Sequence, residues 1–177
     1  MYKEATHVVA GVGPADAKLM IVGEQPGDQE DLQGKPFIGP AGQVLNLQLQ
    51  RANLQREKIY LTNAVKHFKF QRVGKLRKHS KASGTEMHAC RPWLEAEINF
   101  VKPKVIVALG LTAATSILGR LPKITGERGQ IIRGLPYAEA VIISWHPAAI
   151  LRAVDPTEAA ERKQQLGDDL RLAAGLL

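Results

Sequence analysis

The run Lys104-Val105-Ile106-Val107-Ala108-Leu109, closed by Gly110, constrains this chain more than any other stretch, because every position after its first residue is apolar. A strand with one wet face alternates apolar with polar residues. A strand without polar positions is covered on both faces, and such sheets are built from parallel strands with helices above and below. Lys18 to Val22 and Ala140 to Ser144 carry the same pattern, and Ile59 to Val65 reads as a further strand. Helix-like segments lie between them: Ala41 to Arg51, with Val44, Leu45 and Leu49 near one face, and about Thr112 to Leu118. Ser83-Gly84-Thr85-Glu86 has capping-box spacing and predicts a helix from there to about Phe100; Asp155-Pro156-Thr157-Glu158 caps another that runs to about Ala174. The chain therefore reads as α/β, and 177 residues suit one domain with a real core.

Two strand ends carry chemistry. Gly23-Glu24-Gln25-Pro26-Gly27-Asp28 follows the first strand, and Ser144-Trp145-His146-Pro147 follows the last. In an open α/β sheet ligands bind beyond the carboxyl ends of the strands, so these turns offer a carboxylate, an amide and an imidazole to one crevice. Lys66 to Ala82 reads as one long irregular stretch and is basic, with Lys66, Lys69, Arg72, Lys75, Arg77, Lys78 and Lys81 around His67 and His79. Loops of that length in compact domains are usually functional or disordered.

Charge agrees with a polyanionic partner: 24 Lys and Arg against 17 Asp and Glu give a formal charge of +7. No apolar run approaches the ~20 residues of a membrane span and the N-terminus has no signal-peptide order, so no membrane partner and a cytoplasmic location are expected. The one cysteine, Cys90, excludes an intrachain disulfide.

Three segments, in order along nearly the whole chain, resemble the motifs of the uracil-DNA glycosylase superfamily. They are Gly23 to Gly39 (GEQPGDQEDLQGKPFIG), Leu61 to Phe68 (LTNAVKHF) and Trp145 to Arg152 (WHPAAILR). Within it the chain is most similar to the iron-sulfur, family 4-like branch, and there to the DNA-crosslinking type called UdgX. Lys75-Leu76-Arg77-Lys78-His79-Ser80-Lys81 resembles that type's basic loop, whose usual form is Lys-Arg-Arg-Ile-His; Leu76 and Lys78 depart from it. The resemblance implies a three-layer α/β/α sandwich around a mainly parallel four-stranded sheet. It also implies a single glycosylase-like domain over residues 1–177, with a basic active-site loop at about 66–82, and a monomer acting on uracil-containing DNA, preferably single-stranded.

The residue types suit that chemistry. A base must leave the stack before its glycosidic bond can be reached, which is least costly from a single strand. By resemblance Phe37 is the ring on which uracil stacks, Asn63 reads its edge, and Gly27, Gly39 and Arg152 complete the substrate site. His146, by the same resemblance, would donate to uracil O2 as charge develops on the leaving base. The resemblance makes His79 the nucleophile expected to capture C1′, with Glu24 to orient it and steady the cation and with Gln25 and Asp28 to shape the sugar and water site. Lys75, Arg77, Lys78 and Lys81 are expected to contact phosphates. Two other readings stand beside this one: an ordinary multiple-turnover hydrolase in which His79 only touches phosphate, and a non-catalytic nucleic-acid-binding domain.

The resemblance further implies a [4Fe-4S] cluster, which takes four ligands. His67 and Cys90 match two of those positions, and an N-terminal Cys-x-x-Cys is lacking, so no stable cluster is expected. A zinc site from His67, His88 and Cys90 is compositionally conceivable, but residues two apart on a helix face different ways.

Overall fold

A computed structural model describes residues 4–177. The aliphatic runs form parallel strands at the centre: β1 (Leu19–Gly23), β2 (Ile59–Asn63), β5 (Val105–Leu109) and β7 (Ala140–Ser144), which are buried at every position. The sheet order is β2-β1-β5-β7-β6, where β6 (Ile131–Ile132) is a two-residue edge strand antiparallel to β7. The described residues thus form a five-stranded sheet where four strands were expected. The fifth pairs through only Ile131 and Ile132, too short a segment to show a period.

Period-2 alternation divides the core into two slabs. Leu19 and Ile21, Val105 and Val107, and Ala140 and Ile142 face one side, where Leu45 and Leu49 of α2 (Pro40–Arg51) and Leu166 and Leu170 of α7 (Pro156–Ala174) cover them. Met20 and Val22, Ile106 and Ala108, and Val141 and Ile143 face the other. There Leu94 and Ile98 of α3 (Gly84–Val101) and Ala113 and Ile117 of α4 (Gly110–Leu118) complete the third layer. The Ser83 capping box is present with both of its hydrogen bonds. Short helices close three connections: α1 (Asp28–Gln33), α5 (Ile124–Glu127) and α6 (Pro147–Leu151).

The basic stretch is not irregular throughout. Phe70–Val73 (β3) and Leu76–His79 (β4) form an antiparallel ribbon in which Phe70 faces His79 and Arg72 faces Arg77, turning at Gly74, whose φ is +61°. Nearly every residue of it is exposed, so charged side chains leave no alternating apolar signature. Among the described residues no helix is long and apolar enough to cross a membrane.

Candidate active site

The carboxyl ends of β1, β2 and β7 open into one crevice of about 430 Å³. Glu24, Gln25, Gly27, Asp28, Phe37, Asn63, His79, His146 and Arg152 all line it, so the structure brings together residues spread over most of the chain.

Its floor is rigid. Asn63 ends β2 in register with Gly23 at the end of β1, and both the Asn63 amide oxygen and the edge of the Phe37 ring crowd the Gly23 Cα. A β-carbon at Gly23 would collide with Asn63 Oδ1 and sit 2.6 Å from Phe37 Cζ, which is why this position must be glycine. Phe37 is buried and held at φ +54°, a left-handed conformation that a β-carbon disfavours. The surroundings enforce it. Glu30 Oε1 accepts the N–H groups of Ile38 (3.1 Å) and Gly39 (2.8 Å), and Arg56 Nη2 donates to the Phe37 carbonyl at 3.0 Å. Gly39 therefore supports the ring through its backbone rather than lining the crevice.

Asn63 has its own support. The Lys66 ammonium is buried and donates to the Asn63 carbonyl (2.7 Å), Thr62 Oγ1 (2.8 Å) and Glu97 Oε2 (2.6 Å), using all three of its protons. Burial lowers the Lys66 pKa, against the opposing pull of Glu97. Lys66 is thus part of the interior, not of the basic surface.

His146 caps α6: its Nδ1 accepts the Ala148 N–H at 3.1 Å. The ring proton then resides on Nε2, which is free to donate. Burial, followed by the positive charge of Arg152 and the proximity of His79, pulls the His146 pKa down to about 4, so the ring is neutral at physiological pH. Its centroid lies 6.4 Å from that of Phe37.

His79 stands over this floor at the end of β4, with Nε2 3.8 Å from Glu24 Oε1, too far for a hydrogen bond but near enough for a strong field. Glu24 Oε1 is buried and accepts no hydrogen bond among the described residues. Burial lowers the His79 pKa; Glu24 opposes that shift and Arg152 adds to it.

The ribbon is fastened to α1. Arg77 Nε donates to Asp28 Oδ1 at 2.5 Å and Nη1 to Asp31 Oδ2 at 2.6 Å, while the guanidinium lies over Phe68 and Phe70. Asp31 is fully buried and also accepts the backbone N–H of Thr6 and of His7, which with Arg77 hold its pKa down despite burial. Gln25 Nε2 donates to the carbonyls of Lys69 (3.2 Å) and Ser80 (3.0 Å) at the ribbon's base. Gln25 and Asp28 thus hold the ribbon in place while also lining the crevice, whose sugar and water site the sequence assigned to them. Arg77 is taken up by carboxylates, whereas Lys75, Lys78 and Lys81 are exposed. Glu30 and Asp31 were missed by sequence reasoning. Their partners lie 8 and 9 residues away for Glu30 and 24 to 46 residues away for Asp31, and leave no local pattern.

His67 and Cys90 line a separate apolar cavity with Tyr60, Trp93 and Phe100. Among the described residues no group of three or more His, Cys, Asp or Glu side chains could hold a metal, and His88 does not join that cavity. One thiol and one imidazole do not make the four-donor set a cubane takes.

A profile of the uracil DNA glycosylase superfamily matches residues 10–171, a span that takes in the floor, the ribbon and the His146 turn. The chain belongs to that superfamily. It is 37% identical over 155 residues to the type-4 uracil-DNA glycosylase of Thermotoga maritima, covering 86% of this chain and 76% of the relative. The type-4 uracil-DNA glycosylases of Pyrobaculum aerophilum (34% identical, 86% and 77% covered) and Archaeoglobus fulgidus (33%, 85% and 75%) are similar over the same extent. This superfamily member thus keeps its glycosylase likeness across the sheet and the crevice together.

Proposed function

We propose that this protein is a single-domain uracil-DNA glycosylase that releases uracil from DNA, preferably single-stranded, and is then captured by the abasic sugar through His79, as in the UdgX branch. One observation carries the capture: the His79 imidazole stands 3.8 Å from a half-buried carboxylate whose buried oxygen is unused, over a crevice suited to a flipped base, and burial lowers the imidazole pKa.

In this reading uracil stacks on Phe37 and pairs its edge with the Asn63 amide, and His146 Nε2–H donates to O2. The C1′–N1 bond breaks with its electron pair leaving on uracil, stabilised by the fixed His146 dipole. An imidazole nitrogen of His79 gives its lone pair to C1′ of the oxocarbenium-like sugar, forming a C–N bond. The proton on the other ring nitrogen leaves to Glu24 or to solvent, and the uracil anion takes a proton from solvent. Glu24 supplies the negative charge that steadies the cation, and Arg152 and the exposed lysines of the ribbon bind phosphates. Because the free Glu24 oxygen is equally able to hold a water, plain hydrolysis is the alternative.

Incubation of uracil-containing single-stranded oligonucleotides with the protein, followed by a denaturing gel and assay of free uracil, tests both parts. Capture gives a heat-stable shifted band formed about once per protein molecule, with uracil released and thymine not. Many turnovers without a shifted band return the protein to a hydrolase; no released uracil removes the glycosylase reading.

A further inference from the structure

The residues around His146 are tied one after another to a single face of α7. Asp169 Oδ2 accepts the hydroxyl of Ser144 at 2.5 Å, two residues before His146, and Arg128 Nη1 holds the other Asp169 oxygen at 2.7 Å. Gln165 Oε1 accepts the Trp145 indole N–H at 2.5 Å. The Arg162 guanidinium lies 4.8 Å from the Trp145 ring centroid and donates to the Ala149 carbonyl at 3.2 Å, while Glu158 pairs with it from the helix's first turn. Residues 162, 165 and 169 are spaced three and four apart and so share one helix face.

This face is costly as packing. Asp169 is buried, and burial raises its pKa despite its two partners. Leu166 and Leu170 on the same helix already supply the apolar contact with the sheet. A polar row in such a place contributes orientation more than stability, because buried hydrogen bonds are directional and a hydrophobic isostere usually packs as well. Its three attachments bracket His146 from Ser144 to Ala149, and Gly110 forms the back wall, where a β-carbon would stand 3.0 Å from the His146 Cβ.

We propose that Arg162, Gln165 and Asp169 are positioning residues that aim the His146 Nε2–H at the leaving base, acting through the backbone of residues 144–149 and without touching DNA. The proposal rests on the glycosylase reading above for its catalytic consequence. Its structural consequence can be read in the protein alone.

The test compares Gln165→Leu, which leaves the Trp145 N–H without an acceptor, with Gln165→Glu, which retains one, and adds Arg162→Ala. Three quantities are measured: the single-turnover rate of uracil release at saturating oligonucleotide, the affinity for the same oligonucleotide carrying thymine, and the His146 ring nitrogens by long-range proton–nitrogen spectra of the unbound protein. Gln165→Leu and Arg162→Ala are expected to slow release about tenfold, the scale set by small misplacements of a reacting group. They should shift the His146 resonances and leave thymine-oligonucleotide affinity within about twofold, while Gln165→Glu restores rate and resonances. Unchanged rate and resonances in both variants, or a Gln165→Glu protein as impaired as Gln165→Leu, would overturn the proposal. If wild-type protein releases no uracil, the glycosylase reading fails, and the resonances alone still decide whether this face aims His146.

Discussion

The floor of the crevice and the ribbon above it are built in opposite ways. The floor residues Phe37, Asn63 and His146 sit at strand ends or helix starts, where the ladder of the sheet fixes the backbone and buried polar groups lock each turn. The β3–β4 ribbon has two short exposed strands, marginal on its own, and is fastened mainly by the Arg77 guanidinium and the Gln25 amide, with exposed Arg72 reaching Glu4 at 3.4 Å and Lys69 at its base paired with Glu86. In the proposed reaction, recognition of a flat base would need fixed geometry, whereas capture of a sugar that moves as its bond breaks would tolerate an element with some give.

The largest effect separates the two regions outright. His79→Ala or His79→Ser should remove the heat-stable adduct completely while uracil release persists as slow hydrolysis, read by denaturing gel and free-uracil assay; an adduct mapped to any other residue would break the comparison. On the floor, Gly23→Ala should lower release by at least ~10²-fold, since a methyl closes the gap between Asn63 and Phe37. Release within twofold of wild type would mean that the base enters elsewhere.

Arg77→Ala sharpens the comparison, because it strips the cation from the buried Asp31 carboxylate without touching the floor. We expect a loss of about 2–3 kcal/mol in urea unfolding, with Thr6 and His7 still bonded to Asp31, and faster hydrogen exchange across the ribbon. Capture should fall more than release. Equal losses would show floor and ribbon to be one unit.

The pH dependence follows from the histidines. The proposed capture needs neutral His79, whose pKa lies below the ordinary imidazole value of about 6.5, so an adduct is expected at neutral pH and should be lost as pH falls through that lowered value. Arg152→Ala removes a charge that depresses both His79 and His146 and should move the acid limb to higher pH; Glu24→Gln should move it lower while slowing capture. The smallest effect is in salt dependence: replacing Lys75, Lys78 or Lys81 by Ala should each reduce the slope of log affinity against log salt by about 0.7 for a single strand. Arg77, occupied by Asp28 and Asp31, should change it less.

Much of this was legible in the sequence because its causes are local. Two-sided burial leaves unbroken aliphatic runs, so β1, β5 and β7 were readable to within a residue, and the second strand overran by two because Ala64 and Val65 still donate to the carbonyls of Gly23 and Glu24. The Ser83 and Asp155 caps carry their signal within four residues. The ribbon was illegible for the opposite reason: strands with no buried face have no period. α1 was hidden by its acidic sequence, whose carboxylates Glu30 and Asp31 turn inward to distant partners. In the site, residue types at motif spacing pointed to the crevice, but nothing local distinguished Lys66 and Arg77, which serve the interior, from Lys75 and Lys78, which face solvent.

The pairing of Gly23 with Asn63 makes the sheet a gauge. Neighbouring strands in any sheet lie about 4.8 Å apart, and that separation, set by peptide hydrogen bonds, fixes how far the Asn63 backbone stands from the bare Gly23 backbone against which the Phe37 edge rests. The aperture is calibrated by the most invariant length in protein architecture rather than by the rotamers of its lining. Drift in the covering helices leaves such a dimension almost unchanged; only a slip of one strand past its neighbour would reset it.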